Sequence, residues 1–406
     1  MRHSDSTLLH TWGYLMSSTQ IDIKPRFRLL DGLRLFAALS VLVYHYCAYK
    51  GAPWPEPPKD TFAFVSRYAA YGALGVQMFF VISGFVILMS ARGKSLGAFI
   101  SSRVSRLYPA YWAAVLACAA LFLFVAPGRF RTPDPQTILV NLTMMQTAVG
   151  ARHLDGVYWT LWVELLFYLL IGALIAKLDK ESVVLGFAFA WPVIALIGDH
   201  ASVGFIVSFA QPRYASLFAA GMALYLIHAH GHSLLRWLLF GFNALIATYE
   251  TTQHEVLGSM AKNTDQHLSS LMSIGLMAVI LGLVALVTVT PLAHMGPRWL
   301  SYAGALTYPL YLFHEVWGWW LISLLGPHMN KWLVLACAAA LAVILAVLVE
   351  RFVERPARRT LRRQLAKSFP ARSPLKRATH GVKAEGGAPE IASRSSTSHT
   401  VSLSTD

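Results

Sequence analysis

Apolar residues gather along this chain in long unbroken runs, with polar residues confined to the short stretches between them. Segments 273-290 (SIGLMAVILGLVALVTVT) and 332-349 (WLVLACAAALAVILAVLV) are 18 residues each without a charge. A helix of that length matches the hydrocarbon thickness of a bilayer. The pattern predicts helices over 29-49, 73-90, 108-126, 159-177, 182-198, 214-229, 234-249, 271-290, 302-325 and 332-350. Residues 201-213 are also apolar and extend one neighbour or the other. The expected fold is all-α: a polytopic integral membrane helical bundle of about ten transmembrane helices.

Composition removes the soluble alternative. Hydrophobic residues make up 56% of the 406 and charged residues 13%, with a mean hydropathy of +0.51, whereas a soluble domain carries roughly 25% charged residues. The net charge of +14 is concentrated, since ten Lys and Arg fall between Arg351 and Arg377, directly after the last apolar run. A basic flank there fits the positive-inside rule, and no nucleic-acid-binding module is visible. Cys47, Cys118 and Cys337 lie far apart within apolar segments, which speaks against a disulfide framework or a zinc site. Residues 1-25 lack the pattern of a cleaved secretory signal.

Arg26 and Arg28, then Arg92, Lys94, Arg103 and Arg106, then Lys177 and Lys180, then Arg236, Arg298 and the basic tail all fall on one side of a ten-helix bundle. Both termini are therefore expected in the cytoplasm. The chain divides into a cytoplasmic N-terminal segment 1-25, a membrane-embedded domain 26-356, and a basic, then Ser/Thr-rich cytoplasmic tail 357-406 expected to be disordered.

Ionisable residues inside membrane helices are costly and mark function by default. Arg34, His45, Glu164 and His314 stand out. Arg34 and His45 are eleven residues apart, so they share one helix face at a separation of roughly 16 Å. Counting rise from the expected helix ends places His45, Glu164 and His314 in one layer of the outer half, at roughly 18–24 Å. Trp159, Trp162, Tyr308 and Tyr311 stand near that layer as donors or as a stacking surface for a sugar. Such groups serve equally as ties between helices or as a proton relay in a transporter. An imidazole is also suited to general base catalysis, with a carboxylate such as Glu164 orienting it. Arg103 and Arg106, one helical step apart, form with Arg92 and Lys94 a second cluster able to hold an anionic, phosphate-bearing group or simply to anchor the membrane face. Gly72, Gly75 and Gly84 read as points of close helix approach.

These motifs, taken together, resemble the large family of integral membrane acyltransferases often called acyltransferase type 3, which includes O-antigen and nodulation-factor acetylases. LLDGLRLFAALSVLVYH, with Arg34 and His45, resembles its opening Arg-x10-His helix. GALGVQMFFVISGFVI, RVSRLYPAYW, WTLWVELLFYLL with Glu164, LTYPLYLFH ending at His314, and VERPARR follow in the family's order. The resemblance covers about residues 28-356 and implies transfer of a short acyl group, acetyl foremost, from acetyl-CoA or another short acyl-CoA to a hydroxyl of a cell-envelope carbohydrate or lipid-linked glycan.

It implies His45 as the base, with Arg34 and Glu164 completing the catalytic set. Arg34, Arg103 and Arg106 would hold the donor, and Trp159, Tyr308, Tyr311 and His314 the acceptor, with no metal. The implied location is the bacterial cytoplasmic (inner) membrane; a homo-oligomer is compatible with the family. A glycan exporter or transporter is the alternative reading. Where many members have Asp, this chain has Gln77, an amide that supplies neither a proton acceptor nor a full negative charge. The two clusters predict a polar channel along the Arg34/His45 face, with the nucleotide at Arg103 and Arg106 and the acceptor entering past Glu164 and His314.

Overall fold

The computed structural model describes residues 27–368. The expectations for the N-terminal segment 1-25 and for the Ser/Thr-rich end of the tail lie outside those residues. Within them every regular element is helical.

A long helix occupies each of the ten expected segments: α1 (Arg28–Cys47), α2 (Gly75–Ala91), α3 (Leu96–Ala120), α4 (Trp159–Leu174), α5 (Glu181–His200), α6 (Pro212–His230), α7 (Leu234–Glu250), α8 (Ser270–Val289), α9 (Trp299–Leu325) and α10 (Lys331–Val349). Seven helical stretches among the described residues are long and apolar enough to cross a membrane: Arg28–Cys47, Ala63–Ala91, Leu96–Val125, Gly156–Lys177, Glu181–His200, Ser270–Val289 and Lys331–Arg358. The chain is a multi-pass membrane protein. The expected ten spans thus become seven on length and composition. α7 is short, while polar side chains such as Arg213 in α6 and His314 and Glu315 in α9 lower the hydropathy.

Three boundaries differ from expectation, each for a local reason. α3 begins at Leu96 rather than near 108, because Ser95 caps it by accepting the Ala98 N–H. Arg103 and Arg106 therefore sit well inside the helix. Beyond α7, where a loop was expected, Thr251–Met260 forms a π-helix and Ala261–Thr264 a further α-turn. Past α10 the chain stays helical through Glu350–Glu354 and Arg355–Ser368, so the first part of the expected tail is a helix.

Bare backbone joins the helices. A Cβ on Gly84 would fall 2.1 Å from the Phe218 carbonyl oxygen, and one on Gly221 would fall 2.0 Å from that of Val81. α2 and α6 thus touch main chain to main chain, and α6 is buried from Tyr214 to Ile227. Gly72 and Gly75 admit the Ser40 and Ala37 carbonyls of α1 in the same way.

Candidate active site

α1 and α9 cross where His45 meets His314. The Tyr46 hydroxyl donates to the His314 carbonyl at 2.6 Å, and the Trp319 indole donates to the His45 carbonyl at 3.2 Å. Gly318 makes room for Tyr46, whose hydroxyl would lie 2.0 Å from a Cβ at that position.

The partners fix the tautomers. His314 Nδ1 lies 2.8 Å from the Tyr311 carbonyl, which can only accept, so Nδ1 holds the proton and Nε2 is an acceptor. That Nε2 lies 3.0 Å from His45 Nδ1, which is also 3.0 Å from the Val41 carbonyl. Both neighbours accept, so His45 is protonated on Nδ1 and its Nε2 carries a free lone pair.

The bare Nε2 stands 3.6 Å from Oε2 of Glu315, an oxygen without a hydrogen-bond partner. Glu315 is hydrogen-bonded to the Asp155 carboxyl. Asp155 accepts in turn from the backbone N–H groups of Val157 at 3.1 Å and Val316 at 3.4 Å. Burial raises the Asp155 carboxyl above its ordinary range. A Cβ on Gly156 would lie 2.6 Å from Glu315 Oε1, so a larger residue in the turn before α4 would push this carboxyl from its place.

His45 opens onto a cavity of about 260 Å³ bordered by Tyr44, Tyr49, Gln77, Trp159, Glu255, Ser259, Asn263, Tyr311 and Glu315. The π-helix supplies Glu255 and Ser259; such segments are frequent at functional sites. Trp159 also borders a wider cavity of about 640 Å³ with Trp162 and Arg213.

Arg34 lies at the other end of α1. It is 3.8 Å from Asp31 and lines a cavity of about 300 Å³ with Arg106, Tyr308, Glu354 and Arg358. Arg103 is 7% exposed, donates to Ser90 Oγ at 2.8 Å and lies over the Phe99 and Tyr168 rings. Its Nε is buried without a partner, which suits an anionic guest. Two smaller spaces lead on toward His45. One, of about 50 Å³, is lined by Arg34, Ser83, Arg103, Arg106, Glu164 and Tyr308. The other, of about 70 Å³, is lined by Arg34, Ser83, Thr160, Glu164, Tyr308 and Tyr311. It shares Val76 and Tyr311 with the His45 cavity. Arg34 and His45 thus border the two ends of this series of cavities.

Three expected placements are corrected. Glu164 does not join the layer of His45 and His314; it accepts from Tyr168 at 2.6 Å and Ser83 at 3.4 Å beside Arg34. α4 starts at Trp159, already beside the His45 cavity, so Glu164 falls more than a turn away from it. Tyr308 likewise belongs to the arginine end, where it donates to the Leu107 carbonyl at 3.1 Å. His314 is 1% exposed and stands behind His45 rather than at an acceptor entrance. Trp159 and Tyr311 do border the His45 cavity. Among the described residues no group of three or more His, Cys, Asp or Glu is placed to hold a metal ion.

Residues 27–351 match the family model of the type 3 acyltransferases, described as an acyltransferase domain, and the chain belongs to that family. It is 29% identical over 236 residues to the O-acetyl transferase of Shigella phage Sf6, covering 54% of this chain and 62% of that protein. It is 32% identical over 164 residues to Nodulation protein 10 of Rhizobium leguminosarum bv. viciae, covering 36% and 43%. Acyltransferase MdmB of Streptomyces mycarofaciens is 28% identical over 147 residues, covering 34% and 37%. The matched segments thus span less than two thirds of each of these relatives. No solved structure matches the chain significantly.

Sequence reasoning passed over Glu315 and Asp155. Glu315 directly follows His314, and Asp155 precedes a glycine at the mouth of α4. A carboxylate inside an apolar helix was the one available signal.

Proposed function

We propose that the protein transfers a short acyl group, acetyl foremost, from acyl-CoA to a hydroxyl of a cell-envelope carbohydrate or lipid-linked glycan. The relatives' names, an O-acetyl transferase and a nodulation protein, favour such an acceptor. The observation that carries the chemistry is His45: its Nδ1 is tied down while Nε2 faces a cavity with its lone pair free.

In this reading the arginine end faces the cytoplasm of a bacterial inner membrane, as the basic flanks favour, and the membrane domain 26-356 carries the activity. The donor's phosphates stay by Arg34, Arg103 and Arg106, since they cannot cheaply enter hydrocarbon. The pantetheine arm follows the cavities along α1, over a rise of roughly 16 Å. His45 Nε2 removes the acceptor hydroxyl's proton as the oxygen attacks the thioester carbonyl. The acyl–sulfur bond breaks, and the proton passes from Nε2 to the departing thiolate. Trp159 and Tyr311 border the acceptor; Tyr308 and Glu164 serve the donor end. Purified protein with labelled acetyl-CoA and extracted envelope glycans should transfer label, and His45→Ala, with folding retained, should abolish it. Glycan flux in proteoliposomes without consumption of acetyl-CoA would overturn this function in favour of transport.

A further inference from the structure

We infer that Asp155 and Glu315 form a charge-holding pair that stabilises His45 when it becomes cationic, a positioning role beyond the Arg34/His45 chemistry. The inference rests on the acyl-transfer reading and deepens it. Two buried carboxyls in hydrogen-bond contact cannot both be ionised cheaply, so they hold one proton and one negative charge between them. Asp155 accepts two backbone N–H groups, which favours its charged form, and Glu315 then donates the shared proton to it. The remaining oxygen of Glu315 is left without a partner, 3.6 Å from His45 Nε2. An orphaned buried oxygen is costly. Here it faces the atom that turns positive when the acceptor hydroxyl is deprotonated. The cycle balances: the hydroxyl proton passes to Nε2 and then to the thiolate, and the carboxyl pair ends with the proton it began with.

The backbone is shaped for this contact. Gly156 lets the turn press against Glu315, and the Asp155–Val316 bond ties that turn to α9 next to His314. The other ionisable groups around His45 are poor substitutes. Tyr44 and Tyr49 flank its ring, His314 touches Nδ1 and Tyr311 lines the cavity. Glu255, across the cavity, is engaged by the Tyr214 hydroxyl at 3.0 Å and by Arg213 at 3.8 Å.

The test uses the full chain in detergent with Glu315→Gln and the double variant Asp155→Asn/Glu315→Gln. Glu315→Gln keeps the charge fixed on Asp155, so that it cannot shift onto the Glu315 oxygen nearest His45 when the imidazole becomes cationic, and should lower kcat about 10-fold; the double variant removes the charge and should lower kcat about 100-fold, with KM for the donor little changed. Without the anion the imidazole holds its proton less firmly, so the acid limb of kcat/KM should move to lower pH, by about one unit in the double variant. An activity-independent readout is the pH dependence of His45 modification by diethyl pyrocarbonate, followed by peptide mass spectrometry; its midpoint should move in the same direction. Wild-type acid limb and midpoint in both variants would reduce the pair to a brace and overturn the inference. A shifted midpoint in a protein that transfers no acyl group would keep the pairing and overturn the transfer reading instead. If the double variant does not fold, the smaller shift in Glu315→Gln decides.

Discussion

His314 Nε2 lies 3.0 Å from His45 Nδ1, the two rings meeting at 57° with their centroids 5.0 Å apart. One histidine therefore reinforces the tautomer that the Val41 carbonyl also imposes on the other. Because the Tyr311 carbonyl claims the His314 proton, His314 can only accept from His45. The outcome is an imidazole whose bare Nε2 is aimed at the cavity, with its proton held on the far side.

His314→Ala should thus leave His45 Nδ1 held by the Val41 carbonyl alone, with the ring freer to swing out of its productive orientation. The expected result is a loss of about 100-fold or more in kcat with donor KM nearly unchanged, in the range of a lost general-base contribution. Steady-state kinetics at saturating donor would check it. His314→Gln, which keeps an acceptor near that place, should recover part of the loss.

Arg106 lines both the cavity it shares with Arg34, Glu354 and Arg358 and the narrow space beside Glu164. Arg106→Ala should raise KM for acyl-CoA about 10-fold with kcat held, as a lost charge-assisted contact to phosphate would. Arg106→Lys should retain charge but not the forked geometry, and fall between. Titration with desulfo-CoA, which cannot react, would confirm that binding is what has weakened.

Glu164→Gln separates the two ends of the site. Since Glu164 stands with Ser83, Tyr168 and Arg34, its substitution should alter donor KM and leave the acid limb of the pH–rate profile in place. A moved acid limb would return Glu164 to the neighbourhood of the base.

Gly221→Leu should prevent α2 and α6 from meeting, because even a Cβ there would be 2.0 Å from a main-chain oxygen that cannot step aside. Overpacking typically costs about 1–3 kcal/mol, and a backbone clash belongs at the upper end or beyond. Thermal unfolding in detergent should show a large drop or no folded monodisperse protein. Gly186→Leu, at a position with open space around its Cβ, is the matched control.

The helices were legible because bilayer thickness writes itself into run length. Where a helix carries polar residues that rule goes blind. Residues 96–107 and 251–260 look like loops, yet one is the capped beginning of α3 and the other a π-helix over the His45 cavity. The pairing of Arg34 with His45 was readable from a spacing of eleven, since both lie on one helix. Glu164 was misplaced because its depth relied on comparing ends of different helices. Asp155 and Glu315 are 160 residues apart, and only the fold brings them together. Local periodicity reports what one helix presents; which faces meet is decided by contacts such as Gly84 against Phe218.

The two small spaces between Arg34 and His45, about 50 and 70 Å³ and hemmed by Tyr308, Tyr311 and Glu164, carry a consequence for the cell. An enzyme that takes one substrate from each side of a membrane needs a passage through it, and an open wet passage would discharge the ion gradient. A throat with room for only a few waters resists the passage of hydrated ions. In the proposed reading, the donor's slender arm would fill this throat, so that an acyl group could cross while the bulky nucleotide remained behind.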